Sequence, residues 1–219
     1  VSPSSAHIVF VVDDEARVRR ALVRLIRSSG FQARSFGSAR EFLVERPTER
    51  PACLVLDLSM PDVNGLELQQ EMKESGMTTP TIFLTGRGEV SASVRALKAG
   101  ALDFLEKPVD DLVLLEAIEK ALERDRLALE SEADLGELQN RYVSLTSRER
   151  EVCALVATGI PNKQVAFRLG TSEKTIKVHR GRVMRKLEAD SLAHLVRIVD
   201  ALNQDESDRP ATEAPHSLP

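Results

Sequence analysis

Over the first 110 residues, five short apolar runs alternate with segments of helical periodicity, and this alternation restricts the fold more than any other feature. The runs are HIVFVV (7–12), QARSF (32–36), CLVLD (53–57), TIFLT (81–85) and DFLEK (103–107). Between them EARVRRALVRLIRSSG, SAREFLVER, GLELQQEMKESG and VSASVRALKAG place apolar residues at i, i+3, i+4 spacing. Three of these end in Gly, which readily takes the left-handed conformation that stops a helix. Strands joined through helices run parallel, and a parallel sheet needs cover on both faces. The expectation is a doubly wound α/β domain.

From Asp110 the pattern is helical for about thirty residues. Leu112, Leu115, Ile118 and Leu122 form a stripe suited to docking on the sheet. Leu129, Leu135, Leu138 and Tyr142 are sparser, which predicts a linker helix that Gly136 can break. At LTSREREV a second domain begins, with Ser147 as helix cap and Val152, Leu155 and Val156 as the apolar face up to Gly159. PNKQVAFRLG, SEKTIKVHRGRVMRKL and SLAHLVRIVDAL then complete an all-α four-helix bundle. The last stretch, NQDESDRPATEAPHSLP, is polar and Pro-rich and is expected to be disordered. The expected domains are 6–122, a helical linker at 123–144, 145–202, and a tail at 203–219.

With 42% hydrophobic and 29% charged residues, the 219-residue chain has the composition of a soluble globular protein. No apolar run nears the roughly 18–20 residues a membrane span requires, and VSPSSAHIVF lacks the features of a signal peptide, so a cytoplasmic location is expected. Cys53 and Cys153 lie in apolar stretches without metal-ligand spacing and read as buried thiols. The net charge of −4 is unevenly spread: Ser147–Leu202 has 11 Lys/Arg against 6 Asp/Glu, a net +5, which leaves −9 for the remainder. An acidic front and a basic back imply different partners.

The run CLVLD ends on a charge, Asp57, followed at once by a turn. In an open parallel sheet ligands bind beyond the carboxyl ends of the strands, and here those ends carry Asp13, Asp14, Asp57, Thr85 and Lys107. Carboxylates gathered so closely call for a cation, and a hard ion such as Mg²⁺, with Mn²⁺ as substitute, suits oxygen ligands. The central carboxylate, Asp57, can then attack a phosphoryl donor, with Lys107 and the Thr85 hydroxyl offsetting charge on the phosphoryl oxygens. Singly, each residue also fits a structural role: an Asp capping a turn, a Thr suited to a strand, a surface Lys.

VVDDE, VLDLSMPDVNG, FLTGRG and AGALDFLEKP together resemble the receiver domain of two-component response regulators over residues 6–122. The resemblance implies a flavodoxin-like five-stranded sheet of order 2-1-3-4-5. It implies Asp57 as phosphoacceptor and Asp13 and Asp14 as its acidic pair, with the backbone carbonyl of Ser59 completing a metal site. It further implies Thr85 and Lys107 as phosphate contacts, Thr85 and Phe104 as switch residues, a cis Lys107–Pro108 bond, and a sensor histidine kinase as partner.

In SEKTIKVHRGRVMRKL, Ile176, Val183, Met184 and Leu187 fall on one side, while Lys174, Val178, Gly181, Arg182 and Arg185 fall opposite, with Lys177 at the border. Six cations against one Glu suit a helix that lies in the DNA major groove, and Val178 suits a thymine methyl. A solvated cationic face is the plainer alternative. LTSREREVCALVATGIPNKQVAFRLGTSEKTIKVHRGRVMRKL resembles the helix-turn-helix of LuxR-type regulators, and with the receiver the chain is most similar to the NarL/FixJ class. That resemblance implies Asn162 and Lys163 as phosphate contacts and Lys174, Thr175, Lys177 and Val178 as recognition-helix contacts. It implies promoter DNA and RNA polymerase as partners. Leu192, Leu195, Val196, Val199 and Leu202 form a stripe on the last helix; part of it must cover the bundle core, and the rest, among Leu192, Leu195, Val196 and Val199, can pair two copies in a homodimer formed on phosphorylation. His179 and His194 read as packing or phosphate contacts, and the absence of Trp argues against stacking on single strands.

Two other readings stand beside this one. The same pocket chemistry describes haloacid-dehalogenase-type phosphatases, although these place a second acid two residues after the nucleophile, where this chain has Ser59. The other is a receiver-like docking protein that works without phosphorylation.

Overall fold

The computed structural model describes residues 7–61, 63–86 and 102–208. The chain divides into two compact units, Val1–Glu130 and Ser131–Pro219.

In the first unit, β1 (Ile8–Val12), β2 (Gln32–Phe36), β3 (Ala52–Asp57), β4 (Thr81–Thr85) and β5 (Asp103–Glu106) form one parallel sheet of order β2-β1-β3-β4-β5. Helices α1 (Ala16–Ser28), α2 (Ala39–Glu45) and α3 (Gly65–Glu74) come between strands. The helix expected over VSASVRALKAG lies outside the described residues. Because strand side chains alternate, Ile8, Phe10 and Val12 join one buried cluster with Phe36, Phe42, Leu54, Leu68 and Phe83. Val9 and Val11 join the other, with Leu22, Ile26, Val55, Ile82 and Leu114. Double cover explains why β1, β3 and β4 are buried along their whole length.

Helix α4 (Asp111–Val143) runs on as one helix, as the periodicity predicts, and Gly136, which could have broken it, does not. A single Gly costs only about 1 kcal/mol of helix propensity, which neighbouring helix formers offset. Ile118 and Leu122 of the expected sheet-facing stripe are buried, but at its start the phase differs: Leu112 is 77% exposed and Leu115 half-buried, while Leu114, Ala117 and Ala121 are buried. Four apolar residues in a row, Leu112–Leu115, permit more than one phase, and packing selects among them.

One turn beyond Ala121 the same stripe buries a charge. Asp125 accepts hydrogen bonds from Arg50 Nε (3.2 Å), Arg50 Nη2 (2.8 Å) and the Ala52 backbone N–H (2.8 Å). This ties α4 to the start of β3.

The second unit contains α5 (Ser147–Ala157), α6 (Asn162–Arg168), α7 (Glu173–Lys186) and α8 (Leu192–Asp208). Val152, Cys153, Val156, Val165, Ile176, Val183, Leu187, Leu195 and Ile198 make its core, and Leu138 and Tyr142 of α4 pack against it. Gly170, at φ +60°, closes the turn after α6, where Thr171 N–H reaches Ala166 O at 3.0 Å. Disorder was expected from residue 203, but α8 continues to Asp208; residues 209–219 lie outside the description. Among the described residues no helix is long and apolar enough to cross a membrane.

The cap of α5 is Thr146 rather than Ser147. Thr146 Oγ1 accepts from Glu149 N–H (3.2 Å) and Glu149 Oε2 accepts from Thr146 N–H (2.9 Å), a reciprocal capping box. The buried Glu149 also accepts from Lys186 Nζ at 2.7 Å, and Lys186 donates to Ser144 O at 2.9 Å, so the end of α7 is fixed to the start of α5. The Lys186 bond first, and the Thr146 N–H second, depress the Glu149 carboxyl to a pKa of about 2, from an ordinary value of 4.5. A depressed carboxyl stabilises the fold fully above its unfolded pKa, and that contribution is lost as pH falls from about 4.5 toward about 2. Glu149→Gln is expected to lower stability at pH 7 by about 1–3 kcal/mol and to flatten the acid limb in that window. Amide exchange of α5 and α7 against pH measures it; an unchanged acid limb would count against the coupling.

Candidate functional site

The strand register assembles the first site. Val12 pairs with Leu56, which sets the next residues, Asp13 and Asp57, side by side. Asp57 pairs with Leu84, one residue before Thr85, and Thr85 pairs with Glu106, one residue before Lys107. Four residues from four strand ends therefore meet at one edge of the sheet.

The side chains converge as the register requires. Lys107 Nζ donates to Asp13 Oδ2 at 2.8 Å and stands 3.1 Å from Asp57 Oδ1. Asp13, Asp14 and Asp57 each offer a carboxylate oxygen, all within 4.8 Å of one another. Asp13 and Asp57 are buried and Asp14 is exposed, so the cluster opens to solvent on one side. Burial pushes the Asp57 carboxyl above the ordinary aspartate range; Lys107 opposes the shift and the Asp13 charge adds to it. For Lys107 burial works against the charged form, but the bond to Asp13 and the charge of Asp57 outweigh it and raise its pKa. Three hard oxygen donors at this spacing, two of them withdrawn from water, fit a divalent cation.

Thr85 is buried and its Oγ1 donates to Gly86 O at 3.3 Å. Ser59 is exposed, and its N–H donates to Asp57 Oδ1 at 3.4 Å. The half-buried Phe104 ring stands 6.2 Å from that of Phe83. Lys107–Pro108 is cis. Gly65 carries a constraint that no sequence pattern marks: a Cβ there would meet Asp57 O at 2.6 Å and Phe83 Cε1 at 2.9 Å. Its missing side chain lets α3 start directly against the Asp57 backbone, and the Asn64–Glu67 capping box holds that start.

The basic face lies on α7. Ile176, Val183 and Leu187 are buried and Met184 packs beside them, while Lys174, Lys177, Arg182 and Arg185 are exposed and Val178 is 49% exposed. Thr175 Oγ1 bonds Ser172 Oγ at 2.8 Å in the helix cap. On α6, Lys163 is exposed, and Asn162 Oδ1 accepts from Arg180 Nη1 at 3.3 Å. Of the six cations, Lys186 is thus used in scaffolding and Arg180 in bracing α6 against α7.

His179 Nδ1 is buried without a hydrogen-bond partner. His194 Nδ1 lies 3.1 Å from Asp190 Oδ1 near the start of α8. Part of the stripe on α8 covers the core, as expected: Leu195 is fully buried in this unit's own core, Leu192 and Val199 pack against that core, and Val196 is half-buried. A small bundle has few apolar residues, and it draws on this stripe for its own core.

Comparison with known proteins agrees with this geometry. Residues 9–119 match the family model for the response regulator receiver domain, and residues 143–199 match that for bacterial regulatory proteins of the luxR family. The chain is 45% identical over 199 residues to Nodulation protein W of Bradyrhizobium diazoefficiens, covering 91% of this chain and 88% of the relative. It is 42% identical over 192 residues to Transcriptional regulatory protein FixJ of Rhizobium meliloti, covering 88% and 94%. Among solved structures it resembles response regulator StyR, at a TM-score of 0.76 and 42% identity over 89% of this chain and 98% of that one. Full-length FixJ from B. japonicum aligns with a TM-score of 0.57 at 37% identity, covering 92% and 99%. With an acidic pocket at the strand ends of one unit and a basic helix in the other, the chain belongs to the two-component response regulators of the FixJ/NarL class, DNA-binding transcription regulators and not enzymes.

Proposed function

We propose that a sensor histidine kinase phosphorylates this regulator on Asp57. An Asp57 carboxylate oxygen attacks phosphorus, the bond to the donor histidine breaks, and an acyl phosphate forms. Asp13, Asp14, Asp57 and the Ser59 carbonyl would hold Mg²⁺, or Mn²⁺ in its place, which when bound neutralises charge on the phosphoryl group. Lys107 releases its hold on Asp57 to engage a phosphoryl oxygen, Thr85 supplies its hydroxyl to another, and Phe104 repacks toward the space that Thr85 vacates. The switch works only through the difference in stability that the phosphoryl group creates between two conformers.

In the active conformer two copies pair and bind promoter DNA in the cytoplasm, where they act on RNA polymerase. Arg182, Arg185, Lys174, Lys177 and Val178 face the DNA, and Asn162, Lys163 and Thr175 contact it at the helix starts. Residues 6–122 form the receiver, 123–144 the linker and 145–202 the DNA-binding domain. One observation carries the reading: Asp57 meets Asp13, Asp14 and Lys107 at one sheet edge, while a separate helix exposes four cations.

Capture of genomic fragments with and without acetyl phosphate tests it, and should yield a shared operator enriched by phosphorylation. On that operator Arg182→Ala should weaken binding and reduce the slope of log affinity against log salt by about 0.9 if a phosphate contact is lost. An unchanged affinity and slope would remove Arg182 from the interface.

A further inference from the structure

Consecutive side chains on an extended strand point to opposite faces. Asp13 and Asp14 are consecutive, yet their carboxylate oxygens lie within 4.8 Å of each other and of Asp57. The chain therefore has to leave the strand path at this step. β1 ends at Val12, and Asp13 Oδ1 accepts from Glu15 N–H at 2.8 Å, folding a turn about Asp14. Arg19, in the first turn of α1, fastens that turn. Its Nη1 donates to Asp13 O at 2.6 Å and to Asp14 O at 2.9 Å. The half-buried guanidinium borders Gly37, where an added Cβ would come within 3.6 Å of Arg19 Nη2 and 3.7 Å of Arg19 Cζ.

We propose that Arg19 is a positioning residue for the acidic pair. By gathering two successive carbonyls on one nitrogen, it keeps two neighbouring carboxylates turned to the same side and so sets the divalent-cation affinity of the receiver. The inference rests on the reading of Asp13, Asp14 and Asp57 as a cation site. Its sign separates it from a plain charge effect. A guanidinium beside a cation site repels the cation, so if charge alone mattered, removing Arg19 would tighten binding. If Arg19 shapes the pair, removing it loosens binding.

Mn²⁺ titration of the full chain, followed by electron paramagnetic resonance, tests this in the wild type, Asp13→Asn, Arg19→Ala, Arg19→Gln and Arg27→Ala, with melting curves in parallel. Arg27 is the control: it lies at the other end of α1 and makes a comparable bond, Nη2 to Ala33 O at 2.8 Å. Arg19→Ala is expected to weaken Mn²⁺ binding by about tenfold or more, as for other groups that orient metal ligands. Arg27→Ala should lower the melting point without changing the affinity. Arg19→Gln, uncharged, helix-forming and two atoms too short to gather both carbonyls, should show the same loss should the Ala variant fold poorly. Wild-type affinity or tighter binding in the folded Arg19 variants would overturn the role of Arg19 alone. Absence of binding in the wild type, or full binding in Asp13→Asn, would overturn the cation site and this inference with it.

Discussion

Asp57→Asn is expected to abolish labelling by acetyl phosphate and all dimerisation that depends on it, while leaving the fold intact. An amide matches the carboxylate in shape but offers no anionic oxygen to attack phosphorus, so the loss should be complete rather than graded. The fold should not suffer. Burial holds the Asp57 carboxyl above its ordinary range, which means the ionised form is less stable in the folded chain than in the unfolded one. The substitution removes that unfavourable charge, and Lys107 retains Asp13 at 2.8 Å. Its melting point at pH 7 should equal or exceed that of the wild type. Labelling at the wild-type level would take the phosphoacceptor role away from Asp57.

The largest loss of stability is expected far from the pocket, at Asp125→Ala. The carboxylate is buried and receives two N–H groups of Arg50 and the N–H of Ala52. Without it, a largely buried guanidinium and a backbone donor at the start of the central strand both lose this acceptor. Breaking a buried ion pair from one side costs about 3–5 kcal/mol, a large share of the roughly 5–15 kcal/mol that holds a typical domain. Asp125→Asn keeps one acceptor and should fall between. Urea denaturation followed by circular dichroism gives the difference, and a loss below about 1 kcal/mol would show the pair to be incidental.

Sequence reading and structure agree where the signal is local. Strand runs and helical spacing reflect which faces the backbone turns inward, so the parallel sheet followed from them, while its strand order came from the resemblance to receiver domains. The pocket was legible for a related reason: Asp13, Asp57, Thr85 and Lys107 lie at or just past strand ends, and in such a sheet all those ends share one edge. The basic face of α7 was legible because its apolar residues repeat with the helix period.

Positions that depend on what lies opposite were not legible. Leu112 and Leu114 are equally apolar, and the sheet surface chose between them. Leu195 served equally well for a partner or for the bundle, and the bundle's own need for a core took it. Asp125 and Glu149 look like solvated helix charges until Arg50 and Lys186, 75 and 37 residues away in sequence, come to meet them. The sequence by itself determined the periodicity of the elements and hence the edge on which the chemistry sits. Only the tertiary structure decided which charges are buried, which stripe is covered and which arginine turns the acidic pair, because each depends on contacts between segments that no local pattern encodes.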